Sequence, residues 1–565
     1  MRRSRSNDGL SAREKEWFES CYKRGNNAKV LNLLDENGIN LNTKDKDGNN
    51  ALMIAVLRNN QQLVELLLAR NIDINCQNDS GETALSIACE NSKIEVVKLL
   101  FNHENCGKNL VNLEHSNGKS PLRIACENGN VQLIRLLLGN DLVDIDSQDN
   151  DGVTPLHILV EQNNTEMVEV FIKNGCNVNI MDNEGISPVL IACRYNRKKI
   201  FNLLVENSAD VSLISSNSIT CLIAAVMHYS IDVLPNLIHI IDSIAPRQFD
   251  HQDGCGDTAL IVACKKGYSD VIKMLLACPL NVNIQNENGD TAVMILCKKS
   301  AKDMTSIELL LRKADVNLVN NDGHTALVVA VKQEDYTLMK LLVEQNGAKV
   351  NIFTQGNETA LCIACERKNI KMVEYLMANG ADPNLQNATG FTGLLHACQR
   401  NETKIAKLLL AHNADPNLRN IAGYTALVWA SINQNMELVT ELLHHSADPN
   451  VPVLTNSRYT ALTWAMIKSN IDVTKKLLYH GADPYLQVND GKTSFDYLND
   501  SQRGEVISYF DRCTRWYRRK AMLMFLVCSS YLPLKKDSLV AYPKALKYEK
   551  VLSNIHLVQI ICTYL

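Results

Sequence analysis

The stretch Asp149-Asn150-Asp151-Gly152-Val153-Thr154-Pro155-Leu156-His157-Ile158 decides how the rest of the chain is read. It joins a turn signal to a helix-start signal. Gly152 suits a tight turn that needs positive φ. Thr154 supplies a side-chain oxygen to cap a helix, and Pro155 follows where a missing amide hydrogen costs nothing. Related openings lie on both sides: Gly81-Glu-Thr-Ala-Leu85, Gly256-Asp-Thr-Ala-Leu260, Gly323-His-Thr-Ala-Leu327 and Gly423-Tyr-Thr-Ala-Leu427. Fourteen such anchors, from the one at Leu52 to the one at Phe495, recur about every 34 residues, the mark of a stacked solenoid in which no unit buries its apolar face alone.

A second apolar pattern follows each anchor, as in Leu63-Val-Glu-Leu-Leu-Leu68 and Ile405-Ala-Lys-Leu-Leu-Leu410, with helical spacing. Units often end in an asparagine, such as Asn283, Asn384, Asn417 and Asn450, expected to bond backbone in the next turn. The Thr154-Pro-Leu-His157 signature and the endings Asn379-Gly-Ala-Asp-Pro-Asn384 and His480-Gly-Ala-Asp-Pro484 resemble the ankyrin repeat over residues 12–500. The resemblance implies an all-α solenoid of helix-turn-helix units with short turn or β-hairpin fingers. It also implies a curved groove, lined by fingers and first helices, as the default binding site. In that family an asparagine can be hydroxylated, although a structural use accounts for those here.

The expected organisation is a flexible basic N-terminus (1–11), an N-terminal capping repeat (12–44), repeats over 45–215, an irregular repeat with an insertion (216–252), repeats over 253–500, and a basic helical C-terminal capping or docking module (501–565). Arg13, Glu14, Lys15 and Glu19 give the first unit a polar outer face, as a terminal cap requires. In the irregular unit Ser218 replaces the turn glycine and Pro235 falls near the start of the second helix. It reads equally as a bend between two sub-stacks or as a surface loop. The anchors near Asn357 and Arg458 also lack glycine.

The chain has 565 residues, 46% of them hydrophobic and 21% charged, as in a soluble folded protein. No secretory signal or membrane-spanning apolar run is visible. Residues 501–565 hold eleven Lys/Arg and four Asp/Glu, a net of +7 against −4 for the chain, so the array is acidic and the tail basic. That balance disfavours nucleic acid as a partner of the array.

Eighteen cysteines invite a disulfide or metal reading. Seven of them (Cys89, Cys126, Cys193, Cys264, Cys297, Cys365 and Cys398) stand four residues after the apolar anchor residue, one packing slot repeated. Buried thiols in a reducing compartment, the cytoplasm or the nucleus, are therefore expected, with no metal or cofactor. No phosphate loop, nucleophile elbow or kinase signature is present. His444-His445 near Asp448 lies at a helix end, where a cation meets the dipole. No enzyme activity is expected.

The leading functional expectation is a protein-binding scaffold or adaptor. Its candidate contacts are finger-tip residues that the fold does not require: Lys46, Asn150, Asn183, Glu287, Asn321 and Arg419. The tail offers Arg515, Trp516, Arg518 and Arg519, followed by Ala521-Met-Leu-Met-Phe-Leu526 and a possible amphipathic helix over Val551–Leu565. It reads first as a cover for the last unit. The alternatives are docking to ubiquitin-ligase subunits, with the array selecting substrate, and contact with an anionic membrane surface.

Overall fold

The computed structural model describes residues 11–23, 27–35, 39–103, 106–299, 303–455, 457–488 and 491–531, with side chains as far as Trp516 in the last helix. The chain forms two compact units, residues 1–287 and 288–565.

In the first unit the repeats are pairs of short helices joined by a turn, the first helix most often of seven residues and the second of eight or nine. Helix Pro155–Glu161 opens at Thr154 with a capping box closed by His157. The Thr154 N–H donates to Nδ1 of His157 at 3.2 Å, and the Thr154 hydroxyl lies 2.7 Å from the same atom. Nε2 of His157 meets the Ile186 carbonyl of the next repeat at 3.0 Å. Nδ1 therefore accepts and Nε2 carries the proton, the neutral imidazole. Burial holds the pKa of His157 below its usual value, consistent with that state. Asn163 then turns the chain at φ 61°. Asn164 caps helix Thr165–Lys173 by accepting from the Met167 N–H at 3.2 Å, and Met167, Val168 and Phe171 are buried.

The fingers between repeats are turns. Among the described residues there is no strand, only an isolated bridge between Arg419 and Thr425. Backbone bonds link finger to finger: Asn150 N–H to Asn117 O at 3.2 Å, Asn183 N–H to Asp151 O at 2.9 Å and Ser216 N–H to Glu184 O at 2.8 Å. The turn glycine makes this closeness possible. Gly152 has φ +79°, and a Cβ there would lie 2.7 Å from the Asn183 nitrogen. Where glycine is missing, Ser218, Asn357 and Arg458 take positive φ themselves, at 58°, 55° and 50°.

The finger of the irregular repeat is bonded to both of its neighbours, backward through Ser216 and forward, Gly254 N–H to Asn217 O at 3.3 Å. The extra chain is absorbed by an eleven-residue helix, Leu234–Ile244, and a 3-10 turn, Pro246–Asp250, which buries Phe249. Pro235 sits in the first turn of that helix, where no amide donor is needed. The other insertion, after Phe101, forms the short helix Lys108–Asn112. At the N-terminus, helix Ala12–Tyr22 buries Trp17, Phe18 and Cys21 and leaves Arg13, Lys15 and Glu19 exposed.

The second unit repeats the plan to its last member, whose first helix shrinks to the 3-10 turn Ser494–Tyr497. Helix Asp500–Tyr531 then follows, burying Val506, Phe510 and Cys513 at one-turn intervals. The Phe510 ring lies 5.9 Å from Phe495 and 5.8 Å from Tyr485, and Glu505 pairs with Lys475 at 2.5 Å. This half of the helix covers the final repeat. The closing asparagines bridge repeats with both ends of the amide. Asn417 Nδ2 donates to Ser446 O at 3.2 Å while its Oδ1 accepts from the Asp448 N–H at 2.7 Å. Asn384 and Asn450 make the same pair of bonds.

Candidate binding face

The residue immediately before the capping Thr or Ser of each anchor leaves the finger beside the first helix. Residues four and seven after that Thr or Ser share one helix face, one turn apart, so the three side chains form a strip. In the first unit Lys119 reaches Glu127 at 2.9 Å and Lys265 reaches Asp257 at 2.5 Å. In the second unit Lys298 pairs with Asp290 at 2.5 Å, and Lys332 Nζ donates to His324 Nε2 at 2.7 Å. Burial, then the Lys332 charge, lowers the pKa of His324. The buried carboxylates are also held from the next repeat, by Asn286 on Asp257 and Asn320 on Asp290, each at 2.9 Å.

Further along the second unit the same strip turns aromatic. Phe391 lies 4.8 Å from His396, Tyr424 stacks on Trp429 at 4.8 Å, and Tyr459 meets Trp464 edge-on at 5.5 Å. These pairs, five residues apart across the finger-to-helix turn, are not visible as pairs until the repeats are aligned on their anchors. One buried ion pair is equally hidden in the sequence. Arg123, 5% exposed, contacts Asp149 of the next repeat at 3.1 Å and Glu127 at 2.9 Å. The signal for it was an arginine in a slot that holds Ser86, His157 and Leu190 elsewhere.

The six finger-tip candidates are all exposed, but the fold uses more of them than expected. The Asn150 side chain donates to Ser116 O at 3.1 Å, and that of Asn183 to Asn150 O at 2.9 Å. These two lie on adjacent fingers and serve the ladder. Lys46 and Glu287 stand at tips elsewhere in the first unit, and Asn321 in the second. Arg419 is two residues short of its tip, where the register instead places Ile421, 70% exposed. In the tail, Arg515 is exposed with Nε on Asp511 O at 3.2 Å, and Trp516 is 44% exposed with its ring 6.0 Å from Tyr479. The side chains of Arg518, Arg519 and 521–526, and all of 551–565, lie outside the described residues.

The seven register cysteines are buried, and no disulfide joins the described cysteines. Burial raises the thiol pKa at Cys89, Cys126 and Cys398, which suits packing rather than reactivity. One Cys-x-x-Cys spacing, Cys362 to Cys365, is passed over by the register argument; both lie buried on helix Ala360–Glu366. No group of metal-ligating side chains occurs among the described residues. His445 faces Glu441 at 3.6 Å, while Asp448 accepts from the Asn450 N–H at 2.9 Å, so the histidine pair and Asp448 do not converge. No helix of the described residues is long and apolar enough to cross a membrane.

A family model for ankyrin repeats (3 copies) matches the chain in overlapping windows from residues 18–111 to residues 394–488, continuous over 18–488. No curated protein matches it.

Proposed function

Because this chain belongs to the ankyrin-repeat family, we propose that it is a non-catalytic scaffold or adaptor that holds partner proteins on its finger and first-helix face. One observation carries the reading. Frame positions recur in most repeats, as Gly152, Thr154 and Asn417 illustrate, while the strip changes from Lys119/Glu127 to Asp257/Lys265 to Tyr424/Trp429. The fold has no need of that variety, so it is free to serve recognition. A preformed surface also loses little entropy on binding. The test is partner capture from the cells that make the protein, in the cytoplasm or nucleus by our reading. Charge reversal at Lys265, Lys298 and Lys332 should change the captured set. Reversal of exposed second-helix residues such as Lys404 should not, and the opposite result overturns the proposal.

A second reading makes the chain a substrate-recognition subunit of a ubiquitin ligase, docked through its tail. Its support is the exposed Arg515 and Trp516, one turn beyond the face of the same helix (Val506, Phe510 and Cys513) that is buried. Truncation near residue 500 would strip Val506 and Phe510 from the last repeat, so the sound test keeps the full chain. Loss of ligase subunits on Arg515→Glu with Trp516→Ala favours this reading, and an unchanged partner list removes it.

A further inference from the structure

In the second unit, aromatic side chains and an absence of acid coincide. The finger and first-helix segments 385–401, 418–434 and 451–469 carry Arg400, Arg419, Arg458 and Lys468 and no Asp or Glu. The segment before them contains Glu358 and Glu366, and the one after contains Asp496, so the acid-free zone spans three repeats. Arg400 is paired across its boundary with Glu366 at 2.8 Å. Arg419, Arg458 and Lys468 are exposed and have no ion-pair partner among the described residues. Within an acidic array this is a local reversal of charge.

The same three repeats hold the ring pairs of Phe391, Tyr424 and Tyr459, and their finger tips are apolar. Ile421 is 70% and Leu454 is 60% exposed, where other fingers place Asn150, Asn183 or Asn321. Adjacent exposed apolar side chains rimmed by charge mark an interaction site. The indole N–H groups of Trp429 and Trp464 are shielded from solvent yet lack a hydrogen-bond partner among the described residues. Buried indole N–H groups ordinarily find a hydrogen-bond partner, so these two are donors that the described residues leave unused.

We propose that the finger and first-helix segments 385–401, 418–434 and 451–469 form a docking strip for an extended acidic protein segment in which Asp or Glu alternate with leucine, proline or aromatic side chains. Its carboxylates meet Arg419, Arg458 and Lys468. Its apolar side chains lie on the Tyr and Trp rings and against Ile421 and Leu454. A single-stranded nucleic acid would also seek cations and rings, but it fits less well. Three unpaired cations neutralise few phosphates, which leaves a nucleic acid little of its main source of affinity.

The inference rests on the protein-binding reading above, and the experiment separates the two. The full chain is used to select from a random twelve-residue peptide library, and selected peptides are titrated by fluorescence anisotropy. Acidic, apolar peptides are expected, with affinity falling at least tenfold in Ile421→Asp/Leu454→Asp and in Arg458→Glu/Lys468→Glu, and weakening as salt rises. The finger-tip pair is largely exposed, so its loss of binding is not a loss of folding; circular dichroism checks this. Trp429→Phe keeps the ring, removes the donor, and should weaken binding less. Peptides that bind equally well to these variants but fail on Lys298→Glu overturn the strip while leaving the scaffold reading intact. Selection of basic peptides, or equal binding by a twelve-nucleotide oligouridine, overturns the proposed partner class. Recovery of no peptide above background overturns the strip, and the partner-capture experiment then decides the scaffold reading independently.

Discussion

Gly152→Ala should damage the array well beyond the cost of a left-handed residue. Two glycines of nearly equal φ provide the comparison. Gly152 has φ +79° and Gly175 has φ +78°, but a Cβ at Gly175 would meet nothing within 4 Å. Alanine at positive φ costs about 1–2 kcal/mol, and the stiffer unfolded chain returns about 0.4–1 kcal/mol, so Gly175→Ala should lose about 1 kcal/mol. At Gly152 the new Cβ would lie 2.7 Å from the Asn183 nitrogen and 3.0 Å from the Asp182 Cα. Backbone cannot swing aside as a side chain can. The fingers must separate, and the bond from Asn183 N–H to Asp151 O, now 2.9 Å, is weakened or lost. That adds about 0.5–1.5 kcal/mol for the bond, with strain besides, for a total of about 2–4 kcal/mol. A long repeat array need not unfold in one step, so amide hydrogen exchange is the better assay. The Asn183 amide should exchange at least about tenfold faster in Gly152→Ala, since 1.4 kcal/mol is one decade, and should be unchanged in Gly175→Ala. Equal effects of the two substitutions on that amide would refute the close-approach argument.

Asn417→Ala removes both cross-repeat amide bonds at an exposed position and should cost about 1 kcal/mol, read as faster exchange of the Asp448 amide. Asp149→Ala leaves the buried Arg123 with Glu127 alone and should lower stability by about 3 kcal/mol in thermal unfolding; Arg123→Met with Asp149→Leu should recover much of it. His157 has its folded pKa below the ordinary 6.5. Its stabilising effect is therefore complete above that value and lost as pH falls toward the folded pKa, because the unfolded state takes the proton first. Urea melts between pH 7 and 5 should show a shallower pH dependence in His157→Leu than in the parent chain.

The fold was legible because its decisive signals are local and repeated. Gly152, Thr154 and Leu156 specify a turn, a cap and a packed helix within a few residues, and the period makes each unit testify for the next. The use of Asn384, Asn417 and Asn450 was legible for the same reason, although not that each amide bonds at both ends. The binding face was harder to see because its contacts cross a turn. Tyr424 and Trp429 are five apart, a spacing that matches neither helix nor strand alone, and Asp257 lies on the finger, outside the helix that carries Lys265. Naming Arg419 as a finger-tip residue overlooked Ile421, which occupies the tip by register. The irregular unit departs from the pattern more in its sequence than in its local geometry. Ser218 and Pro235 look disruptive in the sequence, but one tolerates positive φ and the other sits in a helix's first turn.

The most direct test of the account replaces Ile421 or Lys404 by a photo-crosslinking amino acid in the full chain and irradiates it with its partners. Ile421 lies on a finger and Lys404 is exposed on the second helix of the preceding repeat. The account predicts partner adducts from position 421 and none from position 404. Adducts from position 404 with none from position 421 would place the partner on the opposite side of each repeat and contradict it.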